Sequence, residues 1–243
     1  MPGFPAQVGA KTSIERTENI MSTLLENIEI DSAPHPTAAI IWLHGLGADG
    51  NDFVPMVQEL DLSNCPAIRF IFPHAQTMPV TVNGGYVMRS WYDIVGADIV
   101  KREDEAGLRK SQLQVEALIA REKARGIPAS RIVLAGFSQG CAMTLQTGLR
   151  HPEQLAGLLC LSGYVPLAAM VPTERHAASV ATPIFMAHGD ADPVIPMQRA
   201  EQSRDLLMAL GHSVEWHQYA MQHSLCQEEI KDIGTWLTRV LQD

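Results

Sequence analysis

The sequence has 243 residues, of which 46% are hydrophobic, and a formal net charge of −9 at pH 7. This length and composition fit one α/β domain with a large core. The acidic balance argues against a nucleic-acid partner, which requires a basic face, and against electrostatic attachment to anionic membranes. No apolar run approaches the ~20 residues that span a bilayer, so stable membrane insertion is not expected.

The N-terminus and the cysteines predict a cytoplasmic protein. Residues 1–20 lack the charged start and apolar core of a secretory signal, and we expect a flexible leader before a domain over residues 21–243. The four cysteines, Cys65, Cys141, Cys160 and Cys226, form no C-x-x-C pair and have no metal-ligand spacing. Reduced thiols in the cytoplasm explain them best, and no metal is expected.

Apolar β-branched runs alternate with helical patterns along the chain. Residues 22–31 are expected to add an antiparallel strand at the edge of a sheet. Further strands are predicted over 39–43, 68–72, 131–135, 156–161, 183–188 and 213–219, and helices over 51–60, 103–125, 139–150, 197–210 and 226–241. This alternation predicts an α/β fold whose central sheet is mostly parallel and is covered by helices on both faces.

The run I-V-L-A-G-F-S-Q-G-C-A-M-T-L, residues 132–145, changes from a strand pattern to a helical pattern at a G-x-S-x-G motif. An abrupt strand-to-helix turn strains the backbone of its central residue, and glycines at both flanks leave room for that turn. Such a nucleophile elbow exposes the hydroxyl of Ser138 beside a helix N-terminus. A serine hydroxyl needs a base to become a nucleophile, so an acid and a histidine are expected later in the chain.

Two carboxylates follow the predicted strand 183–188, in the chain order Ser, Asp, His that α/β-hydrolases use. Either one alone could be an ordinary turn residue, since Asp favours turns. Asp192 is followed by Pro-Val-Ile-Pro, which anchors its loop, whereas Asp190 more naturally braces the turn. Asp192 is therefore the favoured acid.

The favoured base is His223, which comes just after the predicted strand 213–219. Its rivals are His217, which lies within that strand, and His212, which lies in a turn before it. A histidine beyond the end of a parallel strand lies at the same edge of the sheet as the serine, so position favours His223.

Acyl transfer also needs donors for the oxyanion that forms when a carbonyl is attacked. One donor is expected from the backbone N–H of Gln139, directly after the serine. The other is assigned to Leu46 in the glycine-rich loop 44–50, which follows the predicted strand 39–43. This loop lacks the lysine of a P-loop and the G-x-G-x-x-G spacing, which argues against a phosphate cradle.

Five motifs follow one another along the chain: H-G-L-G-A-D-G, N-G-G with S-W-Y-D, G-F-S-Q-G, H-G-D-A-D-P-V-I-P and a final His-Ser. Over roughly residues 22–241 the chain resembles the phospholipase/carboxylesterase family of small α/β-hydrolases, which includes acyl-protein thioesterases and bacterial carboxylesterases. The resemblance implies a serine esterase or thioesterase without a cofactor, with Ser138, Asp192 and His223 as its triad. It also implies Leu46 and Gln139 as the oxyanion-hole donors.

Two residues depart from the family pattern that the chain resembles. Cys141 follows Gly140 where the family often has a second glycine, and Gln222 precedes the histidine where the family usually has glycine. Neither departure removes a catalytic group. Gln222 is expected to stiffen or reorient the histidine loop, which would affect the rate more than the chemistry.

Two apolar loops, residues 73–92 and 164–172, are expected to line an acyl pocket at the catalytic edge of the sheet. The residues expected to bind substrate are Met88, Trp91, Tyr164 and Val165. Packing on the domain itself is an equally good explanation for most of these loops. The resemblance allows a small acyl ester or thioester, a lysophospholipid or an acylated protein as substrate.

The favoured function is a serine carboxylesterase or thioesterase that works through an acyl-enzyme. A lysophospholipase and an acyltransferase that uses the same acyl-enzyme remain alternatives. The complete set of catalytic groups argues against a hydrolase fold that only binds a ligand, and the serine argues against a dienelactone-hydrolase-like enzyme, which generally has cysteine there. The sequence leaves a homodimer open.

Overall fold

The central sheet has seven strands in the order β1-β3-β2-β6-β7-β8-β9. These are β1 (Asn27–Asp31), β2 (Ala38–Leu43), β3 (Ile68–Pro73), β6 (Ile132–Phe137), β7 (Gly157–Leu161), β8 (Ile184–Gly189) and β9 (Val214–Tyr219). Strand β1 pairs antiparallel with β3, and all other neighbours are parallel. The computed structural model describes residues 24–96 and 103–242, so the expected leader over residues 1–20 lies outside the described residues.

Helices cover both faces of this sheet, as the sequence predicts. They are α1 (Met56–Glu59), α2 (Glu105–Ala124), α3 (Gln139–Gly148), α4 (Val171–Glu174), α5 (Met197–Ala209) and α6 (Gln227–Val240). Side chains alternate along β2, so that Ile41 and Leu43 join one hydrophobic cluster while Ile40 and Trp42 join another. The first cluster includes the buried side of α2 and α3, and the second includes Trp236 of α6. The predicted α/β class, with a mostly parallel central sheet covered by helices on both faces, is confirmed.

The helix predicted over residues 51–60 is much shorter in the structure. Residues 50–55 form turns, and α1 begins only after Pro55, which has φ −60° and ψ −26°. Proline disfavours the helical region for the residue before it and donates no backbone hydrogen bond, so a helix can start at Pro55 but does not run through it. The apolar spacing was therefore a poor guide to the start of this helix.

A two-stranded hairpin lies within residues 73–92, which the sequence predicts to be an apolar loop. It consists of β4 (Thr77–Val80) and β5 (Tyr86–Arg89), paired antiparallel. The turn between them contains Gly84 and Gly85, which have φ of 67° and 79°, values that strongly favour glycine. An Asn-Gly-Gly between two short runs was the signal that could have revealed this hairpin.

No helix within residues 24–96 and 103–242 has the length and apolar character needed to cross a bilayer.

Candidate active site

Ser138 occupies a strained turn between β6 and α3. Its backbone has φ 55° and ψ −117°, a conformation that costs about 1–3 kcal/mol for a residue other than glycine. A Cβ at Gly136 would collide with the Gly140 carbonyl oxygen, and a Cβ at Gly140 would collide with the Leu43 carbonyl oxygen. The Ser138 N–H donates to the Leu161 carbonyl oxygen at 2.9 Å. The two glycines therefore permit the close approach of α3 to β6 and β2 that forms the turn.

Asp192 and His223 meet at the same edge of the sheet. The Nδ1 atom of His223 lies 2.6 Å from Oδ2 of Asp192. Asp192 follows β8 and His223 follows β9, and because these parallel strands are neighbours, their C-terminal loops are neighbours as well. The ring of His223 packs on Phe137, the residue before the serine, with ring centroids 4.7 Å apart. The histidine loop is thus seated against the elbow.

The Asp192 carboxylate is fully buried and held by its own loop. Its Oδ1 atom accepts the backbone N–H of Val194 at 2.7 Å and that of Ile195 at 2.9 Å. The Nε2 atom of His188 lies 3.5 Å from the other carboxylate oxygen and 2.8 Å from the Ile195 carbonyl oxygen. These contacts fix the orientation of the carboxylate that faces His223.

The rival acid and bases lie elsewhere. Asp190 is exposed, and its backbone N–H donates to the Tyr219 carbonyl oxygen at 3.0 Å, which braces the turn. His217 lies within β9, stacks on Phe185, and has its Nε2 atom 3.1 Å from a carboxylate oxygen of Glu215. His212 is buried before β9, where burial lowers its pKa. Among these candidates, the structure brings together Asp192 and His223.

Gln139, the first residue of α3, is held by a dense set of hydrogen bonds. Its side-chain oxygen accepts the backbone N–H of Trp91 at 2.9 Å. Its side-chain nitrogen donates to the Tyr92 carbonyl oxygen at 2.8 Å and to the Ser90 hydroxyl at 3.0 Å. N–H groups in the first turn of a helix have no partner inside the helix, so the backbone of Gln139 can offer a donor to a ligand. No pattern in the sequence pointed to this side-chain clamp.

The glycine-rich loop is held by the buried imidazole of His44. The Ala75 N–H donates to Nε2 of His44 at 3.0 Å, so the ring proton of His44 is on Nδ1. The Nδ1–H group donates to the Gly45 carbonyl oxygen at 2.7 Å. Burial lowers the pKa of His44 to about 4, which keeps the ring neutral in this arrangement. The Trp91 indole N–H donates to the His44 carbonyl oxygen at 2.9 Å. Sequence reasoning missed this residue, although it begins the H-G-L-G motif.

A cleft of about 370 Å³ opens beside the serine. It is lined by Ser138 and by both expected oxyanion donors, Leu46 and Gln139. The remaining lining residues come from the hairpin, the segment after it and the loops after β7 and β8: Val82, Asn83, Tyr92, Ile94, Gly96, Tyr164, Val194 and Ile195. The lining is largely apolar, which suits an acyl chain.

Of the residues expected to bind substrate, Tyr164 lines this cleft, and the other three lie outside its lining. Trp91 is buried, and its indole N–H donates to the His44 carbonyl oxygen in the glycine-rich loop. Met88 is half-buried, with its sulfur 3.5 Å from the side-chain nitrogen of Asn83. Val165 is buried and lines a separate cavity. The sequence placed the right loops near the cleft, but it could not tell which side chains turn towards the serine.

The two departures from the family pattern are Cys141, inside the core, and Gln222, at the surface. Cys141 is buried in α3, in the same hydrophobic cluster as Cys160. Gln222 is exposed, and its backbone carbonyl accepts the Ser224 N–H at 3.0 Å. Neither residue lines the described cleft.

Residues 25–241 match the family model described as Phospholipase/Carboxylesterase. Acyl-protein thioesterase 1 of Yarrowia lipolytica is 38% identical over 221 residues, covering 89% of this chain and 97% of that protein. Acyl-protein thioesterase 1 of Neurospora crassa is 42% identical over 216 residues, covering 84% of this chain and 87% of that protein.

Solved structures show the same fold. The crystal structure of Arabidopsis thaliana SOBER1 superimposes with a TM-score of 0.79 at 32% identity, covering 84% of this chain and 99% of that chain. The crystal structure of Zea mays acyl-protein thioesterase 2 gives a TM-score of 0.77 at 28% identity, covering 88% of this chain and 99% of that chain.

Proposed function

The chain belongs to the phospholipase/carboxylesterase family and is a carboxylic ester hydrolase, and we propose that it hydrolyses acyl esters or thioesters through an acyl-enzyme on Ser138. In this proposal His223 is the general base and Asp192 orients it. The observation that carries the assignment is the 2.6 Å contact between His223 Nδ1 and the buried Asp192 carboxylate, in a loop that packs against the serine elbow.

The hydrogen bond to Asp192 selects the tautomer that the reaction needs. Because a carboxylate only accepts, Nδ1 of His223 must carry the proton, and Nε2 is left with a lone pair. Nε2 removes the proton from the Ser138 hydroxyl as its oxygen attacks the acyl carbonyl carbon, and Asp192 stabilises the imidazolium that results. The imidazolium then protonates the departing alcohol or thiol. Water, activated by the same base, attacks the acyl-enzyme and releases the acid.

The oxyanion of each tetrahedral intermediate is assigned to the backbone N–H groups of Leu46 and Gln139. Both residues line the cleft with Ser138. Preorganised donors at such a position contribute about 3–4 kcal/mol each to transition-state stabilisation. The hydrogen bonds of His44 and of the Gln139 side chain support the two segments, so the donors need little reorganisation when the charge develops.

The proposed substrates are acyl esters and thioesters whose acyl chain enters the apolar cleft. The names of the relatives favour thioesters of acylated proteins within this class. We propose a cytoplasmic enzyme, because Cys65, Cys141, Cys160 and Cys226 are all free thiols.

Hydrolysis of matched oxygen esters and thioesters of butyrate and octanoate tests this function. Wild-type protein should hydrolyse both classes, and Ser138→Ala should lose turnover by a factor of order 10⁴ or more while remaining folded. Ser224→Ala, a change at an exposed serine next to His223, is the matched control and should keep wild-type activity. Equal activity in wild type and Ser138→Ala would overturn the assignment.

A further inference from the structure

Tyr164 lies between the cleft and a second cavity. It lines the cleft beside Ser138, while the guanidinium carbon of Arg199 lies 3.8 Å from the centre of its ring. Arg199 in turn lines a cavity of about 120 Å³. That cavity is also lined by Glu103, Val165, Ala168, Gln202, Ser203 and Leu206. The Tyr164 ring on the cleft side and the Arg199 guanidinium on the cavity side therefore form a stacked pair that separates the two spaces.

The hydroxyl of Tyr164 is tied to a second tyrosine of the cleft. The two hydroxyl oxygens of Tyr92 and Tyr164 lie 2.9 Å apart, and both side chains are buried. Burial raises the pKa of both phenols, so the pair stays neutral and hydrogen-bonded over the working range of a histidine base. An aliphatic chain that reaches this pair meets two polar groups that already satisfy each other.

The backbone after Tyr164 is also anchored. The Val165 N–H donates to the Ser203 hydroxyl at 2.9 Å, and that hydroxyl donates to the Arg199 carbonyl oxygen at 2.9 Å. The Leu167 N–H donates to a Glu103 carboxylate oxygen at 2.9 Å. Tyr164 is thus fixed at its hydroxyl, at its ring face and through the chain that follows it, so it cannot swing aside at little cost.

From this geometry we propose that Tyr164 is a specificity-determining residue that ends the acyl site and closes it off from the second cavity. The proposal rests on the proposed function, since it concerns the acyl chain of an ester bound at Ser138. It implies that the cleft accepts chains up to a length set by Tyr164. Removing the ring extends the cleft towards Arg199 and the second cavity that Arg199 lines, which moves that limit to longer chains.

The test compares p-nitrophenyl esters of acetate, butyrate, octanoate, dodecanoate and hexadecanoate. For wild type, kcat/KM should rise with chain length and then level off where the chain meets Tyr164. In Tyr164→Ala the rise should continue to longer chains, by up to about fourfold for each further methylene that is buried. Tyr164→Phe keeps the ring but loses the hydroxyl, and it should retain the wild-type chain-length limit.

Changes at Leu206 provide matched controls because this residue lines the second cavity and is absent from the described lining of the cleft. Leu206→Ala enlarges that cavity behind an intact Tyr164 and should leave the wild-type limit unchanged. Leu206→Phe, combined with Tyr164→Ala, refills the space and should restore the shorter limit. Active-site titration with a fluorophosphonate corrects each rate for the fraction of folded enzyme, and Tyr164→Leu replaces Tyr164→Ala if the latter does not fold.

The outcomes separate this inference from the proposed function. If wild type and the ring-removed variant both hydrolyse esters with the same chain-length limit, the inference is wrong while the function stands. The inference is equally wrong if Leu206→Ala alone extends the limit. If wild type hydrolyses none of the esters, the proposed function fails, and the inference fails with it.

Discussion

The two carboxylate oxygens of Asp192 have different partners, one in its own loop and the other the ring of His223. One oxygen accepts the backbone N–H groups of Val194 and Ile195, and the other lies 2.6 Å from His223 Nδ1. The Asp192 side chain has no exposed surface, so protein donors replace the water that would otherwise solvate its charge. The loop thus presents the histidine with an oriented acceptor before any substrate binds.

Asp192→Asn should lower kcat by a factor of order 10³–10⁴ with little change in fold. The amide can turn its nitrogen towards His223, which would place the imidazole proton on Nε2 and block the base. The matched change, Asp190→Asn, should leave kcat near the wild-type value because Asp190 is exposed. Steady-state kinetics of the two variants would refute the assignment of the acid if Asp190→Asn were the more damaging.

Ser138 should be a source of instability in the folded state. Its backbone, at φ 55° and ψ −117°, suits glycine, which has no Cβ to strain. Ser138→Gly and Ser138→Ala both remove the hydroxyl, but only glycine also relieves the backbone strain. Glycine loses more chain entropy on folding, which offsets part of this gain. The glycine variant should therefore have a free energy of unfolding roughly 1 kcal/mol higher than that of the alanine variant. Urea denaturation of both variants measures this difference. A glycine variant no more stable than the alanine variant would contradict this expectation, because strain relief would then not exceed the entropy cost of glycine.

The clamp made by the Gln139 side chain should support both stability and catalysis. Gln139→Leu removes the partner of the Trp91 N–H, a group that costs about 1–3 kcal/mol when left buried and unpaired, while the Tyr92 carbonyl keeps the Ser90 hydroxyl as a donor. Because Tyr92 lines the cleft, kcat/KM should fall as well. Gln146→Leu, in the same helix, breaks a hydrogen bond to Gln112 and lies outside the cleft lining. It should leave kcat/KM per active site unchanged, and an equal kinetic loss in both variants would contradict the role of Gln139.

Glu229 should make the protein less stable as the pH rises. Its side chain is buried in the first turn of α6, and burial raises its pKa from 4.5 to about 8, with a smaller contribution from Asp232. Between these values the folded state binds more protons than the unfolded state, so the free energy of unfolding should fall by up to about 1.4 kcal/mol per pH unit.

Glu229→Gln should remove this fall in the free energy of unfolding. The difference in free energy of unfolding between Glu229→Gln and wild type should therefore favour the variant more at pH 8 than at pH 5. The exposed neighbour provides the control variant, Glu228→Gln, which should follow the wild-type dependence. Denaturant unfolding at both pH values gives the comparison. Parallel stability curves for wild type and Glu229→Gln would show that Glu229 does not titrate in this range.

Most of the fold could be predicted from the sequence because its strands are buried apolar runs that end in clear turns. Parallel order and two covered faces follow from that alternation. The hairpin of β4 and β5 was missed because its strands are short and half-exposed, so no run of buried residues marks them. The helix predicted over residues 51–60 was too long, because the prediction followed the apolar spacing and not the break expected at Pro55.

The residues at the strand ends could be predicted because the chemistry demands them in a fixed order. The cleft lining was harder, since it depends on which way a side chain points. Trp91 and Tyr92 are neighbours in one motif, yet the Trp91 indole bonds the glycine-rich loop while Tyr92 lines the cleft. Val194 and Ile195 also line the cleft, although in the sequence they look like anchors for the Asp192 loop.

Covalent labelling shows directly whether Ser138 is the nucleophile. Wild-type protein is treated with a fluorophosphonate, and the modified peptide is identified by mass spectrometry. We expect a single label on Ser138, which disappears in Ser138→Ala and forms much more slowly in His223→Ala, since the base is lost. A label on Cys141 or Cys226, or undiminished labelling of Ser138→Ala, would contradict it.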